Sequence, residues 1–238
     1  MILRPSVGPF SWGYSFTTLW PYAHISIVMS VTVEPMANVI SIIQTKGGTG
    51  KTTTAMMLGF ALTSLGENVI ILDSDKQRSA LDWWKDVDGG TGFIVKSAPT
   101  DRELEKEIER ASNDEYSFIL VDTPPGSNSI VKTASQGADL VLVPTGVSPI
   151  DMKRTQATLD SFMGTETPVA VVLVNVDKRE RLLELAQETL TVHTRAALAD
   201  TIIPTRSATR RAGSTAPPIT TKPYREWIEL AQELKTAF

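Results

Sequence analysis

From residue 36 onward the chain alternates between short apolar runs and longer stretches in which apolar residues recur every three or four positions. The short runs predict strands at 39–44, 68–72, 93–96, 118–121, 140–144, 169–175 and 201–203. Val69-Ile70-Ile71-Leu72 and Val169-Ala170-Val171-Val172-Leu173-Val174 are apolar at odd and even positions alike. A strand reads that way when both of its faces are covered, as in a parallel sheet with helices on either side. The longer stretches predict helices at 52–65, ended by Gly66, and at 79–87, 101–111, 129–136, 149–163, 179–197 and 223–236. Thr100 followed by Glu103 is a capping box for the third of these. This alternation predicts an α/β fold, a doubly wound and mostly parallel sheet flanked by helices, with ligands at the carboxyl ends of the strands.

Residues 1–35 break the pattern. They carry only Arg4 and Glu34 as formal charges, beside the aromatics Phe10, Trp12, Tyr14, Phe16, Trp20 and Tyr22. An uncharged stretch from Pro5 to Val33 raises the possibility of an export signal or anchor, but Pro5, Pro9, Pro21, Gly8 and Gly13 interrupt any continuous apolar helix. Met36 stands directly before the first strand. The expectation is one functional domain at 36–238, with 1–35 as an N-terminal extension, either a poorly ordered tail or upstream sequence that is not native to the domain.

Composition adds mainly exclusions. The 238 residues are 42% hydrophobic and 21% charged, an ordinary balance for a soluble globular chain. With no cysteine, disulfides, thiol catalysis, iron–sulfur ligation and thiolate zinc sites are ruled out. A net charge of −4 gives no global sign of nucleic-acid binding, so any such binding must come from a local patch.

The chemistry concentrates in Lys46-Gly47-Gly48-Thr49-Gly50-Lys51-Thr52-Thr53, between the first strand and the first helix. A glycine-rich turn there aims backbone N–H groups and a helix N-terminus at one point, which suits phosphate. In the ordinary loop pattern G-x-x-x-x-G-K-[ST] a glycine would stand at position 45, where this chain has Thr45, followed by the additional cation Lys46. Lys51 suits the β- and γ-phosphates and Thr52 a Mg²⁺ ion. Two lysines so close repel each other, and an anion between them would relieve the repulsion.

Acids end two neighbouring strands. The second closes in Asp73-Ser74-Asp75, where Asp75 can orient a water or sit near Mg²⁺ with Asp73 in support. Asp at these positions also serves as a strand-end or helix cap. The fourth strand runs Phe118-Ile119-Leu120-Val121-Asp122, the Walker B pattern in which the acid contacts Mg²⁺. In the turn that follows, Gly126 N–H could meet a γ-phosphate. Asn175, at the end of the sixth strand, either reads an adenine edge or forms a turn before Asp177.

Basic residues gather late in the chain: Arg206, Arg210 and Arg211, then Lys222 and Arg225, with Lys178, Arg179 and Arg181 after the sixth strand. They form either a local phosphate-binding face, with Arg206, Arg210 and Arg211 as the candidate DNA contacts, or ordinary solvated surface. Membrane attachment by the last helix is disfavoured. It has more acids than bases, and Trp227, Ile228, Leu230, Ala231 and Leu234 suit packing on the sheet.

The loop at 46–53, Asp73-x-Asp75-x-Gln77, Val121-Asp122-Thr123-Pro124-Pro125-Gly126 and Pro144-x-x-x-Ser148-Pro149-x-Asp151 together resemble the ParA/MinD family of deviant Walker A ATPases. The resemblance covers essentially all of 36–238 and is nearest to the short ParA type without an N-terminal helix-turn-helix domain. It implies a P-loop NTPase fold and a cytoplasmic, nucleoid-associated ATPase that uses ATP and Mg²⁺. It further implies an ATP sandwich homodimer in which Lys46 crosses to the partner's phosphates. Gly47, Gly48, Thr49, Gly50, Lys51, Thr52 and Thr53 would hold the nucleotide with Asn175 near adenine, Thr52, Asp75 and Asp122 would serve the metal, and Asp75 would be the hydrolytic carboxylate. Non-specific DNA and a centromere-binding ParB-like activator would be the partners, with no membrane. Lys76 stands where the family usually has proline, and Trp83-Trp84 follow, so the switch backbone is less rigidly set. A positioning ATPase for a protein cargo (chemoreceptor array, flagellum or carboxysome) shares these features. A small-molecule kinase or ligase would leave Lys46 without a task.

Overall fold

The computed structural model describes residues 37–87, 90–126, 128–177, 179, 181–192, 196–212 and 217–238, without the side chains of Asn128, Arg210 and Arg211. The N-terminal extension lies outside the described residues. In chain order the elements are β1 (Asn38–Ile42), α1 (Lys51–Ser64), β2 (Val69–Asp73), α2 (Ser79–Asp86), β3 (Ile94–Ser97), α3 (Asp101–Ser112), β4 (Phe118–Asp122) and α4 (Asn128–Gln136). There follow β5 (Leu140–Thr145), α5 (Pro149–Asp160), β6 (Val169–Val176), α6 (Arg181–Thr191), β7 (Ala196–Leu198), β8 (Ile203–Pro204), α7 (Ser207–Arg211), a 3-10 turn (Lys222–Tyr224) and α8 (Arg225–Lys235).

The strands form one sheet in the order β3-β2-β4-β1-β5-β6-β7, with β8 also pairing β6, and every pairing is parallel. Alternate residues of β1 divide the core. Ile40 and Ile42 pack with α1, α2 and α8 on one face, while Val39, and Ile43 just past the strand, pack with α3, α4, α5 and α6 on the other. Such two-sided burial is why the strands read as continuous apolar runs. Helix α1 is buried nearly all round, with Met56, Met57, Leu58 and Leu62 at 0% exposure. Each such side chain contributes roughly 1.5–3 kcal/mol through its removal from water. Helix α8 covers the outer side of α1 with Trp227, Leu230, Ala231 and Leu234, so its apolar face is in the core and not open to a lipid surface. No helix among the described residues is long and apolar enough to cross a membrane.

Several elements depart from expectation, α7 (Ser207–Arg211) among them, which no expected helix covers. The helix expected at 179–197 ends at Thr191, and Ala196–Leu198 instead forms β7 on Val169–Val171 of β6. Alanine and leucine favour helix locally, but the open edge of β6 offers unpaired backbone groups that a strand can satisfy. The strand expected at 201–203 lies at Ile203–Pro204, where it pairs β6 across the register shift between Val174 and Val176. Thr100 caps α3 as expected, its Oγ1 accepting from Glu103 N, but Glu103 Oε2 accepts from the Thr100 hydroxyl at 2.7 Å and not from the backbone N–H of a full capping box.

Candidate functional site

The central position of β1 puts its carboxyl end where the strand order reverses. The connection from β1 runs to β2 on one side, and the connection from β4 crosses to β5 on the other, which leaves a crevice above the strand ends. The loop from Lys46 to Gly50 turns in this crevice. Gly48 and Gly50 have φ of 73° and 87°, and Gly50 is the N-cap of α1, so this loop needs residues without a Cβ. The α1 N-terminus, with its unpaired N–H groups, therefore opens on the crevice.

The two lysines of the loop point to different places. Lys51 is 7% exposed and donates to the Lys46 carbonyl at 3.2 Å. Burial lowers its pKa, against the opposing pull of Asp122 and Asp75. Lys46 reaches out to Asp151 at the start of α5, Nζ to Oδ1 at 2.7 Å, with 37% of its side chain exposed. The expected repulsion is thus resolved by an acid 105 positions away. Partial burial alone would raise the Asp151 pKa, but the hydrogen bonds from Lys46 and Ser148 hold it below the ordinary carboxylate range. Asp151 belongs to the motif read from the sequence, yet its partner was not legible there.

The same face of α5 grips the root of the loop. Thr158 Oγ1 donates to Gln44 Oε1 at 2.6 Å, Gln44 Nε2 donates to Thr155 Oγ1 at 3.2 Å, and the Thr45 N–H donates to Gln44 Oε1 at 2.9 Å. Asp151, Thr155 and Thr158 are spaced i, i+4, i+7, so one helical stripe holds the loop in place.

The strand-end acids are adjacent but unlike. Asp73 and Asp122 are opposite each other in the β2–β4 register, and both are fully buried. Asp73 Oδ2 accepts from Leu81 N at 2.9 Å and Oδ1 from Asp75 N at 3.1 Å, which caps the first turn of α2. Burial raises its pKa, and those N–H groups oppose the rise. Asp75 is half-buried at the rim and accepts from Gln77 N at 2.9 Å. Of the two, it is the one with access to a water. Neither oxygen of Asp122 accepts a hydrogen bond of ordinary geometry, although the Thr52 hydroxyl faces it. Burial first, then the Asp73 and Asp75 carboxylates, push its pKa up to about 7 against Thr52 and Lys51.

A buried carboxylate without a proper partner is a costly feature, and opposite a threonine hydroxyl it matches what a Mg²⁺ ion takes from a phosphate loop. Among the described residues no group of three or more His, Cys, Asp or Glu could hold a metal by itself. Thr52 and Asp122 are the residues that would hold a Mg²⁺ ion, with Asp75 beside them.

The crevice opens into a cavity of about 580 Å³. Lys46, Gly48, Thr49, Gly50 and Thr53 line it from the phosphate loop, and Asn175 lines it from β6. Asn175 has φ of 57° at the β6 irregularity, so it is a bulge residue within the strand and not the turn before Asp177, and it lines the cavity. Arg206 also lines the cavity and is paired with Glu226. It therefore differs from the free surface cation expected of it. Arg225 pairs with Glu229 and Arg179 with Asp177, while Lys222 is exposed. Lys178 and the side chains of Arg210 and Arg211 lie outside the described residues.

A profile of the family described as the CobQ/CobB/MinD/ParA nucleotide binding domain matches residues 40–219. The chain is 35% identical over 143 residues to the maintenance of carboxysome distribution protein A of Gloeobacter kilaueensis, covering 59% of this chain and 64% of that one. It is 28% identical to the chromosome partitioning protein ParA of Caulobacter vibrioides, covering 76% of this chain and 85% of that one. In fold it is similar to the septum site-determining protein MinD of Pyrococcus horikoshii, solved as a complex with Mg-ADP, with a TM-score of 0.70 at 20% identity over 84% of this chain and 96% of that one. A phosphate loop at the head of α1, an unpartnered acid closing β4 and a family match across both make this chain a member of the ParA/MinD family of nucleotide-binding P-loop ATPases.

Proposed function

We propose that the domain at 36–238 is a Mg²⁺-dependent ATPase whose ATP-bound form is a sandwich homodimer that holds DNA without sequence preference. A centromere-binding ParB-like partner would stimulate hydrolysis and so release the DNA. The observation that carries this reading is the division of labour between the lysines: Lys51 is sunk in the phosphate loop, whereas Lys46 sits on an acid at the rim with its ammonium within reach of solvent. A cation at the rim can exchange Asp151 for the phosphates of a second copy.

In this reading the backbone N–H groups from Gly47 to Thr53 and the Lys51 ammonium hold the phosphates, and Asn175 lies at the base end. Bound Mg²⁺ would neutralise charge on the phosphate oxygens. Asp75 orients the attacking water. Arg210 and Arg211 are the DNA contacts we favour, since Arg206 is engaged by Glu226 in the cavity. Such contacts would give binding that falls steeply with salt. The setting would be cytoplasmic and nucleoid-associated.

Sizing the chain with Mg²⁺ and either ATP or ADP tests the mechanism. Wild type is expected to dimerise with ATP alone and Lys46→Ala with neither, and if ATP never promotes a dimer the sandwich mechanism fails. The similarity to a carboxysome distribution protein favours a second reading, a positioning ATPase for a protein cargo with the same ATP cycle. A small DNA-binding partner and repeated DNA sites encoded beside this chain would favour partition of DNA.

A further inference from the structure

The cavity is also lined by Trp83, Ile203, Pro204, Arg206, Thr209 and Trp227, none of which belongs to the phosphate loop. Around it, Thr54 Oγ1, Thr209 Oγ1 and Arg206 Nε are buried and make no hydrogen bond of ordinary geometry. Thr54 as a whole is 0% exposed. Buried polar groups are nearly always partnered. A compartment with aromatic walls and unsatisfied polar atoms therefore suits a ligand with a flat apolar face and polar edges, which is the chemistry of a nucleoside.

Trp83 is also the tether of the helix behind the hydrolytic position. Its indole N–H donates to the carbonyl of Ala212, the C-cap of α7, at 2.8 Å. Two residues earlier on α2, Leu81 N–H donates to Asp73, and Asp73 in turn accepts from the Asp75 N–H. One continuous run of helix and hydrogen bonds thus joins the cavity wall to Asp75. The neighbouring Trp84 has a separate set of partners, its indole N–H directed to Thr91 Oγ1 and the Phe93 carbonyl at 2.9 Å, and it does not line the cavity.

We propose that Trp83 is a positioning residue that senses the nucleoside in the cavity and, through α2, sets the Asp75 carboxylate for hydrolysis. The inference rests on the ATPase reading above. A ligand can shift an element only through contacts that differ between its two positions, and the half-buried indole face supplies such a contact. Phosphate-loop contacts hold the triphosphate, while Trp83 couples occupancy by the nucleoside to the rate of the chemical step.

The test compares Trp83→Phe with Trp84→Phe in equilibrium dialysis against ATP, steady-state hydrolysis and intrinsic tryptophan emission. Trp83→Phe keeps a ring in the wall and loses the bond to Ala212, so its KM should stay within about threefold while kcat falls about tenfold. Trp84→Phe should move neither by more than about twofold. The emission change caused by ATP should persist in full in Trp84→Phe and shrink in Trp83→Phe, where Trp227 remains in the cavity wall. An unchanged kcat in Trp83→Phe, an equal loss in Trp84→Phe, or an undiminished emission change in Trp83→Phe would each overturn the proposal. Trp227→Phe removes the other tryptophan of the cavity. Its emission must respond to ATP but not to inorganic tripolyphosphate, and a failure there overturns the proposal even if Trp83→Phe does not fold. Wild type that binds no ATP would overturn the ATPase reading and this inference together, whereas ATP binding with any of the contrary results removes this inference alone.

Discussion

Replacing Asp122 by asparagine should make the ligand-free protein more stable while removing its response to Mg-ATP. The carboxylate is fully buried, lies beside Asp73 in the sheet register and has no hydrogen-bond partner of ordinary geometry. Its pKa is pushed from 3.8 to about 7. Below the unfolded value both states hold the proton and the acid costs nothing in charge. As pH rises towards 7 the unfolded chain releases the proton while the folded chain retains it, so stability falls by about 1.4 kcal/mol per pH unit. The accumulated penalty is about 4 kcal/mol above pH 7. Asparagine removes the charge but still has an amide to desolvate, at roughly 1–3 kcal/mol. The expected net gain is about 1–3 kcal/mol at pH 8, or about 2–10 °C in Tm for a domain of this size. Urea and thermal melts with a chelator at pH 5.5 and pH 8 measure it, and the advantage of the variant should widen at the higher pH by about 2 kcal/mol. Mg-ATP should then raise the Tm of wild type by mass action and leave the variant nearly unmoved. A variant less stable than wild type at pH 8, or an advantage that does not grow with pH, would refute the reasoning.

Asp151→Asn should cost up to about 1 kcal/mol of stability, because a partly exposed pair is worth little, and should strengthen ATP-driven dimerisation in sedimentation velocity by freeing Lys46. Gly59→Ala should destabilise by about 1–3 kcal/mol in urea melts despite the better helix propensity of alanine. An added Cβ there would stand 3.0 Å from Ile71 Cδ1 and 3.1 Å from the Phe93 ring. Trp227→Ala should cost about 3–5 kcal/mol, since it empties a 2%-exposed site where α8 closes the core. The double variant Arg210→Glu, Arg211→Glu should hydrolyse ATP normally and lose DNA in an electrophoretic shift. DNA binding that survives it would remove these arginines as contacts.

Much of this protein is written locally in its sequence. Strands covered on both faces must be apolar at every position, so β2, β4 and β6 declare themselves without their neighbours. The phosphate loop is equally local, since glycines that adopt positive φ, the lysine and the threonine all lie within eight residues. Asp122 follows four apolar residues in a row and is read from that contrast alone. Other features depended on who stands beside whom. The β7 segment is too short and too helix-prone to read as a strand, and only the open edge of β6 makes it one. Asp73 and Asp75 share one short run, but the sheet buries the first as a cap for α2 and leaves the second at the rim. Arg206 looks like a surface cation until Glu226 and the cavity claim it. Lys46 could be read as an anomaly from its position, but its resting partner on α5 could not, because pairing across 105 residues is decided by the packing of α5 on the sheet. Local sequence determines backbone conformation and burial pattern through sterics and solvation, whereas the partner of a charge is a property of distance, which only the folded chain supplies.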